Sequence, residues 1–215
     1  MHTISQSTIS ILGGAGKAGR PLVQAALGAA YRVRLLLRHP DQSTIRDTNL
    51  TILPGDARDA DALRDLLTGS SALLSTLGHP KGETVPITSG VTRGIIAAMT
   101  QAGISRYVVV SSLFDTGQEP LDGPTRAAAD YMQQHFPAMM NDRRVEYQLL
   151  HDSDLDWTYV RVPHILPEAE AAGYVVAAHQ LPGQHIAGVD LARFLIDQLT
   201  DRSYHRQALF VASRS

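Results

Sequence analysis

The chain has 215 residues, 44% of them hydrophobic and 19% charged, with a formal net charge of -2 and no cysteine. That balance describes a globular chain long enough to bury one sizeable core, and it excludes a disordered or fibrous one. Disulfide scaffolds, thiolate metal sites and cysteine nucleophiles are excluded outright, and the charge gives no ground for expecting nucleic acid as a partner.

The opening MHTISQST has no basic stretch leading into a long apolar one, and no apolar run is long enough to span a bilayer. No leader and no membrane are expected, and a cytoplasmic location is. Thr8–Leu12 reads as a first strand, followed by a helix over Arg20–Ala29 and a second strand over Tyr31–Leu37. Asn49–Leu53 predicts a third strand, closed by Pro54–Gly55–Asp56, and Asp59–Thr68 has helical apolar spacing before Gly69. Ser71–Leu77 predicts a fourth strand, Val85–Ala102 a helix stopped by Gly103, and Arg106–Ser111 a fifth strand. Pro124–Phe136 and Ala138–His151 are helix candidates separated at Pro137. Trp157–Val162 predicts a sixth strand, Tyr174–Ala178 a short one, Gly188–Thr200 a helix and Ala208–Ala212 a last strand. Strands alternating with helical crossovers predict an α/β fold: one doubly wound, mostly parallel sheet with helices on both faces. The strand order is expected to reverse between the first and fourth strands, which places their C-terminal ends beside one crevice. All 215 residues are assigned to one domain, with residues 112–215 completing the pocket over that crevice.

The chemistry concentrates where the first strand meets the first helix, in Ile9–Ser10–Ile11–Leu12–Gly13–Gly14–Ala15–Gly16–Lys17–Ala18–Gly19. Gly14-x-Gly16-x-x-Gly19 is the dinucleotide fingerprint, and Gly13-x-x-Gly16-x-x-Gly19 overlaps it. A turn without side-chain bulk at the start of a helix presents unpaired amides to a pyrophosphate; the competing reading is a turn kept for packing. An acid closing the second strand would accept from a ribose 2′-hydroxyl. This chain has Arg38 there, which suits a 2′-phosphate or, alternatively, caps the strand in solvent. His39 stands beside it. Asp56, with Ala57, follows the third strand and either fixes the adenine edge or orders the turn. Thr76–Leu77–Gly78 closes the fourth strand beside the crevice, and Lys81 is a loose candidate for a phosphate. The histidines form no compact metal motif, so no metal is assigned. Gly-x-Ser-x-Gly, the nucleophile elbow of α/β-hydrolases, is missing.

Together with Leu37–Arg38, Gly55–Asp56, Val110–Ser111–Ser112–Leu113–Phe114, the stretch from Asp152 to Arg161, and Pro163–His164–Ile165, these residues resemble the atypical short-chain dehydrogenase/reductase superfamily. Within it the chain is similar to the NAD(P)H-binding, NmrA-like branch related to biliverdin-IXβ reductase/flavin reductase. The resemblance implies a Rossmann-like domain that binds NADPH in preference to NADH and passes hydride to a planar acceptor such as FMN, FAD or a quinone, as a monomer or weak homodimer. It implies cofactor contacts from Gly13, Gly14, Gly16, Lys17, Ala18, Gly19, Arg38, Asp56, Ala57, Thr76, Leu77, Gly78, Ser111 and Pro163. Ser112 and His164 are then the catalytic candidates, with caps or structural bonds as their other reading. The loop arginine of the reductase branch has no counterpart here beyond Lys81, and the branch also holds regulators that bind cofactor without turnover. The Tyr-x-x-x-Lys of typical short-chain dehydrogenases is missing: Tyr131 is followed by His135, and Tyr147 by His151. Arg143 and Arg144 either hold an anion or belong to a solvated helix face.

Overall fold

The computed structural model describes residues 7–79 and 85–214, so Lys81 and the opening residues of the chain lie outside the described part. In chain order the elements are β1 (Thr8–Leu12), α1 (Gly19–Gly28), β2 (Arg32–Leu37), β3 (Leu50–Pro54), α2 (Ala60–Leu67), β4 (Ala72–Ser75), α3 (Thr88–Ala102) and β5 (Arg106–Ser111). They continue with α4 (Gly123–His135), α5 (Pro137–His151), β6 (Asp156–Arg161), β7 (His164–Leu166), β8 (Tyr174–Ala177), β9 (His185–Ala187), α6 (Gly188–Asp197) and β10 (Gln207–Ser213).

The main sheet runs β3-β2-β1-β4-β5-β6-β10-β8, parallel throughout except for β8, which pairs antiparallel with β10. It is a Rossmann-like α/β sheet with helices on both faces. Alternating strand residues feed two cores. Ile9, Ile11, Leu35, Val108 and Val160 pack beneath α1 and α6, against Leu22, Val23, Leu191 and Phe194. Leu12, Leu73, Tyr107, Val109 and Trp157 pack beneath α2, α3 and α5, against Leu63, Ile95, Met140 and Leu150. Strands buried on both faces read as continuous apolar runs rather than alternating ones. Each fully buried leucine or valine contributes about 1.5–3 kcal/mol, so this double burial holds short helices that their own propensity would not.

From β1 the chain winds outward through β2 and β3, then returns to place β4 on the other side of β1. The reversal therefore falls between β1 and β4, as expected, and opens a crevice at their C-terminal ends.

Several boundaries differ from the sequence reading for local reasons. β4 stops at Ser75 rather than Leu77, because the Leu77 amide donates to Ser75 Oγ (3.3 Å) instead of continuing a ladder. α3 starts at Thr88 rather than Val85: Pro86 disfavours helix at the residue before it, and the Asp142 carboxylate accepts from the Thr88 and Ser89 amides at 2.9 and 3.2 Å. The last turn of α6 tightens into i→i+3 bonds after Asp197, Leu199 donating to Ile196 O at 3.0 Å. The sequence reading lacks the second, two-stranded sheet, in which β7 pairs with β9 through His164↔His185, Ile165↔Ile186 and Leu166↔Ala187.

Candidate functional site

The turn from β1 into α1 is dictated by contacts that leave no room for a Cβ. Gly13 has φ +78°, and a Cβ on it would lie 2.7 Å from the Thr76 carbonyl carbon; a Cβ on Gly19 would lie 2.1 Å from Gly13 O. Gly14 is shielded by Leu35 and Val23. The turn is closed by Gly16 N donating to Gly13 O (2.9 Å), and it is tied to β4 by Thr76 N donating to Leu12 O (3.0 Å). Gly16 differs from the other three. A Cβ there would meet Gly13 O at 3.3 Å and nothing else among the described residues, so its outward side is bare backbone. Neither an acidic side chain nor a side-chain cap occupies the first turn of α1.

This turn forms one wall of a cleft of about 520 Å³. Gly13, Gly16, Lys17 and Ala18 line it on one side, Arg38 and His39 from the end of β2 close it, and Gly55, Asp56 and Ala57 follow from the end of β3. Thr76, Leu77 and Gly78 line it beyond β4. Asp56 accepts from Arg58 Nε (3.0 Å) and Nη2 (2.7 Å) and from the Arg58 amide (2.9 Å). The Arg58 hydrogen bonds, acting against burial and joined by the charges of Arg58 and Arg38, hold the Asp56 carboxyl below its ordinary range. Arg38 thus stands close enough to Asp56 for its charge to be felt there.

The structure brings most of the expected cofactor residues to this cleft and sets others apart from it. Gly14 and Gly19 are buried behind it and shape the turn. Ser111 is buried on the face toward α3 and α5, where its hydroxyl donates to the Tyr159 phenol at 2.8 Å. Ser112, Pro163 and His164 are not among the residues that line the cleft. Ser112 Oγ is enclosed, with no hydrogen-bond partner among the described residues. His164 is exposed on β7, while its neighbour Ile165 turns to the opposite side and lines the cleft. Arg143 is buried and paired rather than solvated, and Arg144 is exposed. Ser43, Ile87 and Ile165 line the cleft without having been singled out. Of these, only Ile165 carried a signal, through the Pro163–His164–Ile165 element; Ser43 and Ile87 arrive through loop paths that no local spacing specifies. Among the described residues no group of three or more His, Asp or Glu side chains is placed to hold a metal, and no helix is long and apolar enough to cross a membrane.

The residues present fit a dinucleotide: bare backbone and a helix start without a side-chain cap for its diphosphate, and a cation at the end of β2. Comparison with known proteins agrees. The model of a family described as NAD(P)H-binding matches residues 13–202. A (4-alkanoyl-5-oxo-2,5-dihydrofuran-3-yl)methyl phosphate reductase from Streptomyces griseus is 26% identical over 212 residues, which is 95% of this chain and 67% of that protein. A short-chain dehydrogenase/reductase from Veillonella parvula, solved in complex with NADP, superposes with a TM-score of 0.77 at 18% identity, covering 97% of this chain and 95% of that one. A candidate NADH-flavin reductase from Streptococcus pneumoniae gives a TM-score of 0.73 at 20% identity, covering 97% and 100%. At these identities the two structures share the fold with this chain.

Proposed function

This chain belongs to the NAD(P)H-binding family, and we propose that it is an NADPH-dependent reductase that passes hydride to a planar conjugated acceptor such as FMN, FAD or a quinone. The observation that carries the reading is the cleft itself: a glycine turn on one wall, Arg38 at its end, and Leu77, Ile87 and Ile165 as an apolar side. Bound NADPH supplies the hydride; the work of the chain is to hold the donor and the acceptor face to face and to keep water out. In this reading Gly16, Lys17 and Ala18 receive the diphosphate, Arg38 the 2′-phosphate, and Asp56 and Ala57 the adenine end. The absence of Tyr-x-x-x-Lys suits an acceptor that needs no strong acid from the protein. Ser112, directly after β5, is assigned the orienting of the carboxamide or the acceptor. The exposed His164 is assigned to the acceptor side, within the segments after residue 112 that complete the pocket. Relatives whose names describe a flavin reductase and a reductase of a phosphorylated dihydrofuran support the reaction class.

The test is an oxidation panel with NADPH and NADH against FMN, FAD, quinones and biliverdin, with acceptor-free controls. NADPH oxidation is expected with at least one flavin or quinone. Tight NADPH binding with no acceptor turned over would replace the reductase by a noncatalytic cofactor-binding regulator. His164→Ala is expected to lower turnover more than NADPH affinity, and unchanged turnover would make His164 structural.

A further inference from the structure

Arg143 and Glu146 stand three residues apart on α5, a spacing that on most helices gives a solvent-exposed ion pair. Here both are buried, and Arg143 Nη1 donates to Glu146 Oε2 at 2.7 Å. Two other elements donate to the same carboxylate, and a third reaches it through Tyr159. Tyr159 of β6 donates to Oε2 at 2.8 Å, Thr92 of α3 donates to Oε1 at 3.2 Å, and Ser111 of β5 donates to the Tyr159 phenol at 2.8 Å. Burial, and next the Glu146 charge, push the Tyr159 phenol well above its ordinary range, so it remains a donor. Burial acts against the Arg143 charge, but Glu146, Tyr159 and Asp142 together outweigh it and the guanidinium stays ionised.

A buried ion pair contributes little net stability, because desolvating each charge costs several kcal/mol and apolar side chains of similar volume do as well or better. What an apolar pair cannot do is donate to a main-chain carbonyl. Arg143 Nη2 reaches away from the pair to Leu77 O, at 3.4 Å. Leu77 lies past the end of β4 and lines the cleft, and its amide is held by Ser75 Oγ. Both polar groups of this residue are thus bonded to side chains rather than to a neighbouring strand. Asp142, adjacent on α5, holds the Thr88 and Ser89 start of α3 beside Ile87, another cleft-lining residue.

We propose that Arg143, braced by Glu146, is a positioning residue that fixes the Leu77 carbonyl and thereby sets the β4 side of the cofactor cleft. The affinity arm of the test rests on the NADPH-binding reading above; the exchange arm does not. Hydrogen exchange at the Leu77, Gly78 and His79 amides is measured on the full chain without ligand, and NADPH affinity by calorimetry, for the parent, Arg143→Met and Arg143→Lys. Arg143→Met is expected to speed exchange at these amides about ten-fold, leave the α1 amides unchanged and weaken NADPH about ten-fold, with Arg143→Lys restoring part of both. A folded Arg143→Met with parental exchange overturns the proposal whatever its affinity, and so does faster exchange with parental affinity. If Arg143→Met does not fold, the double variant Arg143→Met with Glu146→Leu, which leaves no charge unpaired, carries the same test and the same expectations. Failure of both to fold assigns the pair to structure alone and also overturns it. A parent chain that binds no NADPH, while exchange responds as expected, refutes the cofactor reading and leaves Arg143 as the holder of Leu77.

Discussion

Arg38 stands where an acid would select for an unphosphorylated ribose, and it lines the cleft together with Asp56. Charge-assisted hydrogen bonds are worth about 1.5–3 kcal/mol. Arg38→Ala is therefore expected to weaken NADPH about 10–100-fold and leave NADH nearly unchanged, as read by parallel titrations; equal losses would remove the 2′-phosphate role. The glycines of the turn divide in the same way. With Gly13 O 2.1 Å from its Cβ position, Gly19→Ala must displace backbone, and about 2–3 kcal/mol of stability should be lost in urea unfolding. Among the described residues Gly16→Ala meets Gly13 O at 3.3 Å, which a small shift relieves, so it should cost less stability than Gly19→Ala while NADPH affinity falls about ten-fold, the ligand losing its close approach to backbone. These residues were legible in the sequence because strand, glycine spacing and helix are contiguous. Arg143 was not: its burial comes from packing against β6 and against α3, which is distant in the chain, and an Arg-Arg pair on a helix reads as surface. The side of the sheet taken by Ser111 follows from strand parity with Tyr107 and Val109, which becomes decisive only once the layer over each face is known.

At the scale of elements, two clamps hold the segments that follow β4 and β5. Asp142 on α5 caps α3, a helix whose own N-cap residue, Ile87, supplies no side-chain bond. Burial opposes the charge of Asp142, but the Ser89 and Thr88 hydrogen bonds prevail and hold its carboxyl below the ordinary 3.8. A carboxyl with a lowered folded value stabilises the fold above its unfolded value, and that stabilisation is lost as pH falls through the folded one. Asp142→Asn is expected to cost about 1 kcal/mol near neutral pH, and the gap between parent and variant should close only as pH drops below 3.8; a gap unchanged at about pH 3 would contradict the cap. The second clamp is Arg161, fully buried in β6. It donates to Phe114 O (3.1 Å) and Ala208 O (3.0 Å), pairs with Glu119 at 2.5 Å, and lies 3.8 Å above the Phe210 ring. Arg161→Met strands Glu119 and should cost about 3 kcal/mol in urea unfolding, with faster proteolysis between residues 112 and 122; unchanged proteolysis would show that the loop does not depend on it. The sequence reading found the long elements by their periodicity. It could not find β7 and β9, each three residues long, because Pro163, Pro167 and Gly183 punctuate them and no repeat fits inside.

At the scale of the molecule, the alternation of strands and helical crossovers left little choice beyond a doubly wound sheet, and the reversal at β1 and β4 follows from it. The same topology explains why one end of the sheet gathers the glycine turn, Arg38, Asp56 and Leu77, which come from four different strand ends. Residues after 112 were harder to place, since the chain passes from β6 to an antiparallel β8 at the edge and then returns to insert β10 between them, an order that no local pattern encodes. The proposed reductase requires that end of the sheet to receive a phosphorylated nicotinamide dinucleotide. Isothermal titration of the folded chain with NADPH and with NADH measures this directly. Saturable binding of NADPH at one site per chain, tighter than that of NADH, is the predicted result; a protein shown to be folded by circular dichroism that takes up neither would contradict it.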